Sequence, residues 1–185
     1  RITMSGALKE VRNRIKSVQS TQQITKAMKM VSAAKLRRAQ DAITQMRPYA
    51  RKLQEMLSNI VSNSEGDVSM ALAAQRPVEK VMIIVVTSDR GLCGGYNSNL
   101  IKLAKQTIQE KYAAQHAKGN VTILPIGKKG YENFTKTDFR VINNYWDILN
   151  GLTFEKAQAA AKYAMDAFAN KEVDAVELIY SEFKN

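Results

Sequence analysis

The stretch VVTSDRGLCGGYNSNL (85–100) holds the residues best able to do chemistry: the adjacent Asp89 and Arg90, the thiol of Cys93, and Gly91, Gly94 and Gly95. An apolar run precedes it and an amphipathic stretch follows, so the loop is predicted to join a strand to a helix. There, bare backbone amides and a helix N-terminus can face an anion. The specific phosphate-binding spacings are absent. The glycines read G-x-x-G-G, and Pro125, Gly127 and Lys128 stand where an acidic residue would hold a ribose. Tyr96 and Asn97 follow the last glycine, where a phosphate-binding loop of the ATPase kind needs Lys and then Ser or Thr. The loop therefore reads as a tight turn in which glycines supply positive φ. A helix N-terminus and Arg90 would both favour a thiolate at Cys93, although such a cysteine is more commonly a small packing residue.

Asp89 beside Arg90 reads as an ion pair at a loop, and Gly127-Lys128-Lys129-Gly130 as a charged turn. His116, in AAQHAKG, marks a solvated helix end. One histidine and one cysteine cannot assemble a His/Cys zinc site or a nucleophilic triad. A lone cysteine also excludes an internal disulfide and fits a reducing compartment. No catalytic residue, cofactor or metal is expected.

The elements that carry these residues fall into two parts. From about Ser5 to Ser62 there is no glycine after Gly6, one proline (Pro48), and a wealth of good helix formers. Leu8, Val11, Ile15, Val18, then Leu36, Ala39, Ile43, Met46, Ala50, Leu53, Leu57 and Ile60 recur in steps of three and four, which is a coiled-coil seam. Between them the same register puts Gln22, Thr25, Lys29 and Ser32 on the seam, while the apolar stripe shifts to Ile24, Met28 and Val31. A straight helix drifts by roughly 20° per heptad, so this shift suits a weakly supercoiled rod. The register passes Pro48 without a change of phase, which predicts a kink and not an end.

Charge is concentrated in the same part. Of the 28 basic residues, ten lie in residues 1–40, where Glu10 is the only acid. Such a segment seeks an acidic partner, whether nucleic acid, anionic lipid or protein. The longest apolar run, 81–86, is far too short to cross a bilayer. The opening residues RITMSG have no apolar core behind a positive start, so no secretory leader is expected, and a native start is expected near Met4.

Residues 63–80, with Gly66, Asp67 and Pro77, read as a connector. Strands are then predicted over 81–88, 121–127, 139–146 and 175–183, alternating with helices over 98–114, 129–136 and 154–170. The fold class is α/β: a long N-terminal coiled-coil helix (5–62) and a Rossmann-like, mainly parallel sheet with helices on both faces (81–185). These features alone also admit a nucleic-acid-binding basic coiled coil, or a nucleotide-binding Rossmann enzyme.

Two long segments carry a more specific signal. KEVRNRIKSVQSTQQITKAMKMVSAAKLRRAQ (9–40) is similar to the start of gamma subunits of F-type ATP synthases, VVTSDRGLCGGYN (85–97) resembles their most recognisable internal motif, and IGKKG (126–130) is a weaker match. The resemblance covers essentially the whole chain. It implies a non-catalytic central stalk that turns inside the alpha–beta hexamer and contacts epsilon and the membrane-embedded ring of c subunits. Proton flow would thereby be coupled to ATP synthesis or hydrolysis at the beta-subunit sites. Such a protein would sit at the cytoplasmic face of the bacterial inner membrane, held there through the c-ring, and would bind no nucleic acid. On the matching positions, Lys26, Met28, Lys29 and Lys35 would face an acidic loop of beta or its neighbourhood, with Arg90 and Cys93 against it from the glycine loop. Members of the family continue into a second long helix, whereas this chain stops at Asn185. A fragment lacking that partner helix, prone to non-native self-association through the seam, is therefore expected.

Overall fold

The computed structural model describes residues 2–63 and 71–184. The chain divides into two units, residues 1–68 and 69–185. In the first, helix α1 spans Ile2–Asn63 without interruption, Pro48 included. At ~1.5 Å per residue it is roughly 90 Å long. Its apolar seam is open: Leu8, Val11, Ile15, Val18, Leu36, Met46, Leu53 and Leu57 are 45–63% exposed. The side chain of Ile60 and residues 64–70 of the connector, with Gly66 and Asp67, lie outside the described residues. Where the seam turns polar, Thr25 Oγ1 donates to the Thr21 carbonyl at 2.8 Å, and Thr21 Oγ1 to that of Ser17 at 3.0 Å. Back-bonds of this kind slightly weaken and bend a helix.

The second unit is a four-stranded sheet of β1 (Val81–Val86), β2 (Val121–Ile126), β3 (Arg140–Val141) and β4 (Ala175–Ile179). All pairs are parallel and the order is β3-β2-β1-β4. Helices α2 (Tyr96–Lys111), α3 (Ala113–Ala117), α4 (Lys128–Phe134) and α5 (Phe154–Ala169) connect the strands. Because the chain steps from β1 to β2 to β3 and then returns past β1, a constant crossover hand places the last helix on the opposite face. Alternation along the strands serves both faces. Val81, Ile83, Val85, Val121 and Ile123 pack with Leu100, Ala104 and Ile108 of α2 and Phe134 of α4. Met82 and Leu124 pack with Ala164 and Ala167 of α5.

Several predicted elements end earlier than expected. The third strand pairs only over Arg140–Val141 and not over 139–146. Ile142 N–H still donates to the Ile123 carbonyl, but beyond it the chain turns, Trp146 offering its carbonyl to Gly127 N–H and its ring to Tyr131. The fourth strand ends at Ile179, short of the expected 183. The helix expected over 98–114 ends at Lys111, and α3 follows. Tyr112, between them, donates to Glu177 Oε1 on β4 at 2.7 Å, and Lys111 Nζ lies 3.1 Å from the same oxygen. The Tyr112 hydrogen bond, with Lys111 behind it, holds the Glu177 carboxyl below its usual range. Burial, reinforced by Glu177, pushes the Tyr112 phenol up to about 12.

Helix α5 ends in a Schellman turn: Glu172 N–H donates to Ala167 O at 2.8 Å and Lys171 N–H to Phe168 O at 3.1 Å. The position that needs a left-handed backbone is held by Lys171, at φ 60. Glycine adopts that conformation without the clash a Cβ makes. Lys171→Gly is therefore expected to raise stability by about 1 kcal/mol. In urea titration the midpoint should rise with the slope unchanged.

Candidate functional site

The candidate residues fall in both units. On α1, Lys26, Met28, Lys29 and Lys35 are all exposed. At about 100° per residue they do not share a face. Lys26 and Lys29, three apart, lie on one side, while Met28 and Lys35, one heptad apart, lie on nearly the opposite side beside Ile24 and Val31. The helix thus presents cations around its circumference and not along one stripe.

The glycine loop leaves β1 at the point where the order of connections reverses, between β2 and β4. In open α/β sheets that is where ligands are commonly held. Here Thr87, fully buried, organises it. Its N–H extends the β1–β2 ladder to Ile126 O at 2.7 Å, and its hydroxyl accepts Gly130 N–H at 2.8 Å. Gly127, at φ 99, has no room for a side chain, since a Cβ would lie 2.2 Å from Thr87 O. A Cβ on Gly130 would stand 3.0 Å from Thr87 Oγ1. The glycines of 127–130 are thus seats for Thr87.

The first amides of α4 are occupied from the same segment. Lys128 N–H donates to Asp89 Oδ1 at 2.9 Å and Lys129 N–H to Ser88 O at 3.1 Å. Asp89 therefore serves as the anion that this helix start invites. The expected Asp89–Arg90 ion pair does not form among the described residues, because Asp89 is turned to that amide. Lys128 and Lys129 instead reach Glu132, at 3.8 and 3.0 Å. The Lys129 hydrogen bond chiefly holds the Glu132 carboxyl low.

Beyond Asp89 the loop is exposed. Asn97, in the first turn of α2, braces it from below. Its Oδ1 accepts Ser88 N–H at 2.9 Å, and its Nδ2 reaches Arg90 O and Cys93 Sγ, both at 3.2 Å. Sequence reasoning missed this role, for which an Asn just after a glycine turn was the available signal. It also missed Leu92, which is fully exposed at φ 60. Arg90 and Cys93 flank this apolar tip. His116 is half-buried and not a solvated end: its ring meets Phe139 edge-on at 4.6 Å, beside a groove of about 260 Å³. Among the described residues no group of three or more His, Cys, Asp and Glu is placed to hold a metal ion, and no helix is long and apolar enough to cross a membrane.

Removing the Thr87 hydroxyl at constant shape leaves the buried Gly130 amide without an acceptor, which costs about 1–3 kcal/mol. Thr87→Val should lower the urea midpoint accordingly and Thr87→Ser much less.

Known proteins can be set beside this arrangement. The ATP synthase family model matches residues 7–185. The ATP synthase gamma chain of Chlorobaculum tepidum is 49% identical over 178 residues, covering 96% of this chain and 61% of that one. The gamma chain of Cytophaga hutchinsonii is 49% identical over 97% of this chain and 61% of its own length. The chain thus spans about 61% of the length of these relatives. Among solved structures, the central stalk and c-ring structure of Tetrahymena thermophila mitochondrial ATP synthase contains a similar chain. The two superpose with a TM-score of 0.60 at 27% identity, over 88% of this chain and 66% of the other. A chain of Euglena gracilis mitochondrial ATP synthase shares the fold, with a TM-score of 0.51 at 20% identity over 98% of this chain and 54% of its own. A match that runs from the basic helix through the glycine loop to the last strand establishes that the chain belongs to the ATP synthase gamma family.

Proposed function

We propose that the chain forms the turning shaft of an ATP synthase and supplies no catalytic group of its own. The single observation that carries this reading is α1, a continuous 62-residue helix on which most of the apolar seam and most cations among the described residues are exposed. Its seam asks for a partner helix and its charge for acidic neighbours, so it is built to be gripped. The relatives' name adds the complex in which such a helix works.

On this reading α1 turns within the hexamer of alpha and beta subunits, and the sheet unit meets epsilon and the ring of c subunits. Proton flow through the membrane turns the shaft, and the shaft carries the beta sites through their states of ATP synthesis or hydrolysis. The protein then lies at the cytoplasmic face of the bacterial membrane, held there by the ring. Lys26, Met28, Lys29 and Lys35 meet an acidic loop of beta from successive sides as the helix rotates. Their spread around the circumference suits that role better than a single docking stripe. Arg90 and Cys93 approach the same loop, and Leu92 adds an apolar tip between them. Exposed charge pairs contribute only ~0.2–1 kcal/mol each, which suits a part that must exchange its contacts at every step.

The full-length protein should capture the alpha–beta hexamer, and epsilon, from a mixture; failure to bind either overturns the proposal. Reversing Lys26, Lys29 and Lys35 to Glu should weaken hexamer binding by about tenfold, at ~0.5 kcal/mol per position. The loss should shrink as salt rises. Leu92→Gly separates contact from fold. Relieving the left-handed leucine should stabilise the sheet unit by about 1 kcal/mol while hexamer affinity falls. Unchanged affinity would remove Leu92 from the contact.

A further inference from the structure

One polar cluster of the sheet unit lies away from the glycine loop. Residues 74–80 lead into β1 without regular structure. Midway, Arg76 turns back onto the junction between α5 and β4. Its Nε donates to Asp174 Oδ1 at 2.7 Å, and its Nη2 to the carbonyls of Phe168 and Val173 at 2.6 and 2.5 Å. The guanidinium also lies over the Phe168 ring, 4.1 Å from its centre. Asp174 answers with its other oxygen, which accepts Lys80 N–H at 2.9 Å and Glu79 N–H at 3.1 Å. Its own N–H donates to Lys80 O at 2.8 Å. The two side chains are only 18% and 13% exposed.

This is a dense, charge-assisted knot in an otherwise irregular lead-in: the guanidinium reaches one carboxylate oxygen and two carbonyls at once, and hydrogen bonds between ionised partners are stronger than neutral ones. It holds the lead-in on both sides: Arg76 before Pro77, and the amides of Glu79 and Lys80 just ahead of β1. β1 is an interior strand, paired to β2 and β4. A pull along the chain from the N-terminal side would otherwise load β1 from its end, where Val81 N–H donates to Asn120 O. With the knot in place, the pull passes first into the α5–β4 junction, and hence into both the edge strand and the helix layer. Asp174 stays ionised in this position, because the Lys80 amide chiefly, with Arg76 and Glu79, holds its carboxyl below the usual range.

We propose that Arg76 and Asp174 are positioning residues that fasten the lead-in from α1 to the sheet unit and carry torque between them, an inference that rests on the rotor reading. The test uses the full-length protein assembled with its partners in membrane vesicles, reading ATP hydrolysis and ATP-driven proton pumping on the same sample. Arg76→Ala should leave hydrolysis within about twofold but lower protons pumped per ATP several-fold, because a slack joint lets the sites turn over without driving the ring. Arg76→Lys, which keeps the charge and one bond but not the fork, should fall between. Phe134→Leu, a core change on α4 against the other face of the sheet from α5, should leave the ratio unchanged.

Equal ratios in Arg76→Ala and the parent overturn the proposal, as does a proportional fall of both activities, which marks mere loss of fold. Should Arg76→Ala not assemble, Asp174→Asn keeps one oxygen for the two amides, turns an NH2 donor towards Arg76 in place of the acceptor, and is read in the same way. Amide exchange on the chain itself separates the two levels of the argument. There Arg76→Ala should speed exchange at Glu79 and Lys80 by about tenfold, whatever the chain assembles with. If exchange there is unaltered the knot itself fails, and if the parent protein never joins the complex the rotor reading fails.

Discussion

Everything in this chain follows from a helix that cannot satisfy itself. Sixty-two consecutive helical residues form α1, yet helices in water owe most of their stability to burying one face. The seam from Leu8 to Leu57 stands open apart from the half-buried Ile43. The cations of residues 9–38 add a second unmet demand, since Glu10 is the only acid among them. Apolar surface and like charge both have to be answered from outside the helix, one by packing and the other by anions. The two demands are only partly separated around the axis: Lys26 and Lys29 lie away from the strip of Ile24, Met28 and Val31, while Lys35 lies beside it. A helix packed along that strip therefore keeps Lys26 and Lys29 available, with Lys35 at the flank of the packed side.

The sheet unit solves the opposite problem. Its loops hold residues that elsewhere grip phosphate, but here they are used internally. Thr87 takes the Gly130 amide, Asp89 takes the Lys128 amide, and Ser88 takes the Lys129 amide. Gly127 and Gly130 are glycines because Thr87 occupies the space their side chains would need. A site that in a nucleotide-binding fold is left open for a ligand has become a rivet between β1, β2 and α4.

Much of this was legible in the sequence, for identifiable reasons. The helix was, because nothing but Pro48 interrupts a run of strong helix formers, and the seam kept its phase through that proline. Strands β1 and β2 were, because a strand buried on both faces reads as a continuous apolar run. The third strand was over-read. FRVINNYW looks like a strand, but after Ile142 its residues serve a turn, where the Trp146 carbonyl caps Gly127 and its ring stacks on Tyr131. Local propensity does not reveal that competition. The Arg76–Asp174 knot could not be read either, since its members are 98 residues apart and each looks like an ordinary surface charge. The loop motif signalled a special turn but not its purpose, since the partners of Thr87 and Asp89 lie across the sheet, about forty residues away.

Among the described residues, two without the freedom of glycine adopt a left-handed backbone, and the contrast between them is informative. Lys171 sits at the end of α5, where the turn geometry demands that conformation and two backbone hydrogen bonds offset it. Leu92 makes no such backbone bond among the described residues, yet the loop around it is held by Asn97 through Ser88, Arg90 and Cys93. The brace fixes its neighbours and leaves the leucine projecting, fully exposed, from a strained backbone. Strain that the local turn does not require, at an apolar side chain that contributes nothing to the core, is hard to attribute to folding. That combination fits the contact proposed for this tip, and it sets Leu92 apart from the neighbouring charges, whose exposure alone needs no partner.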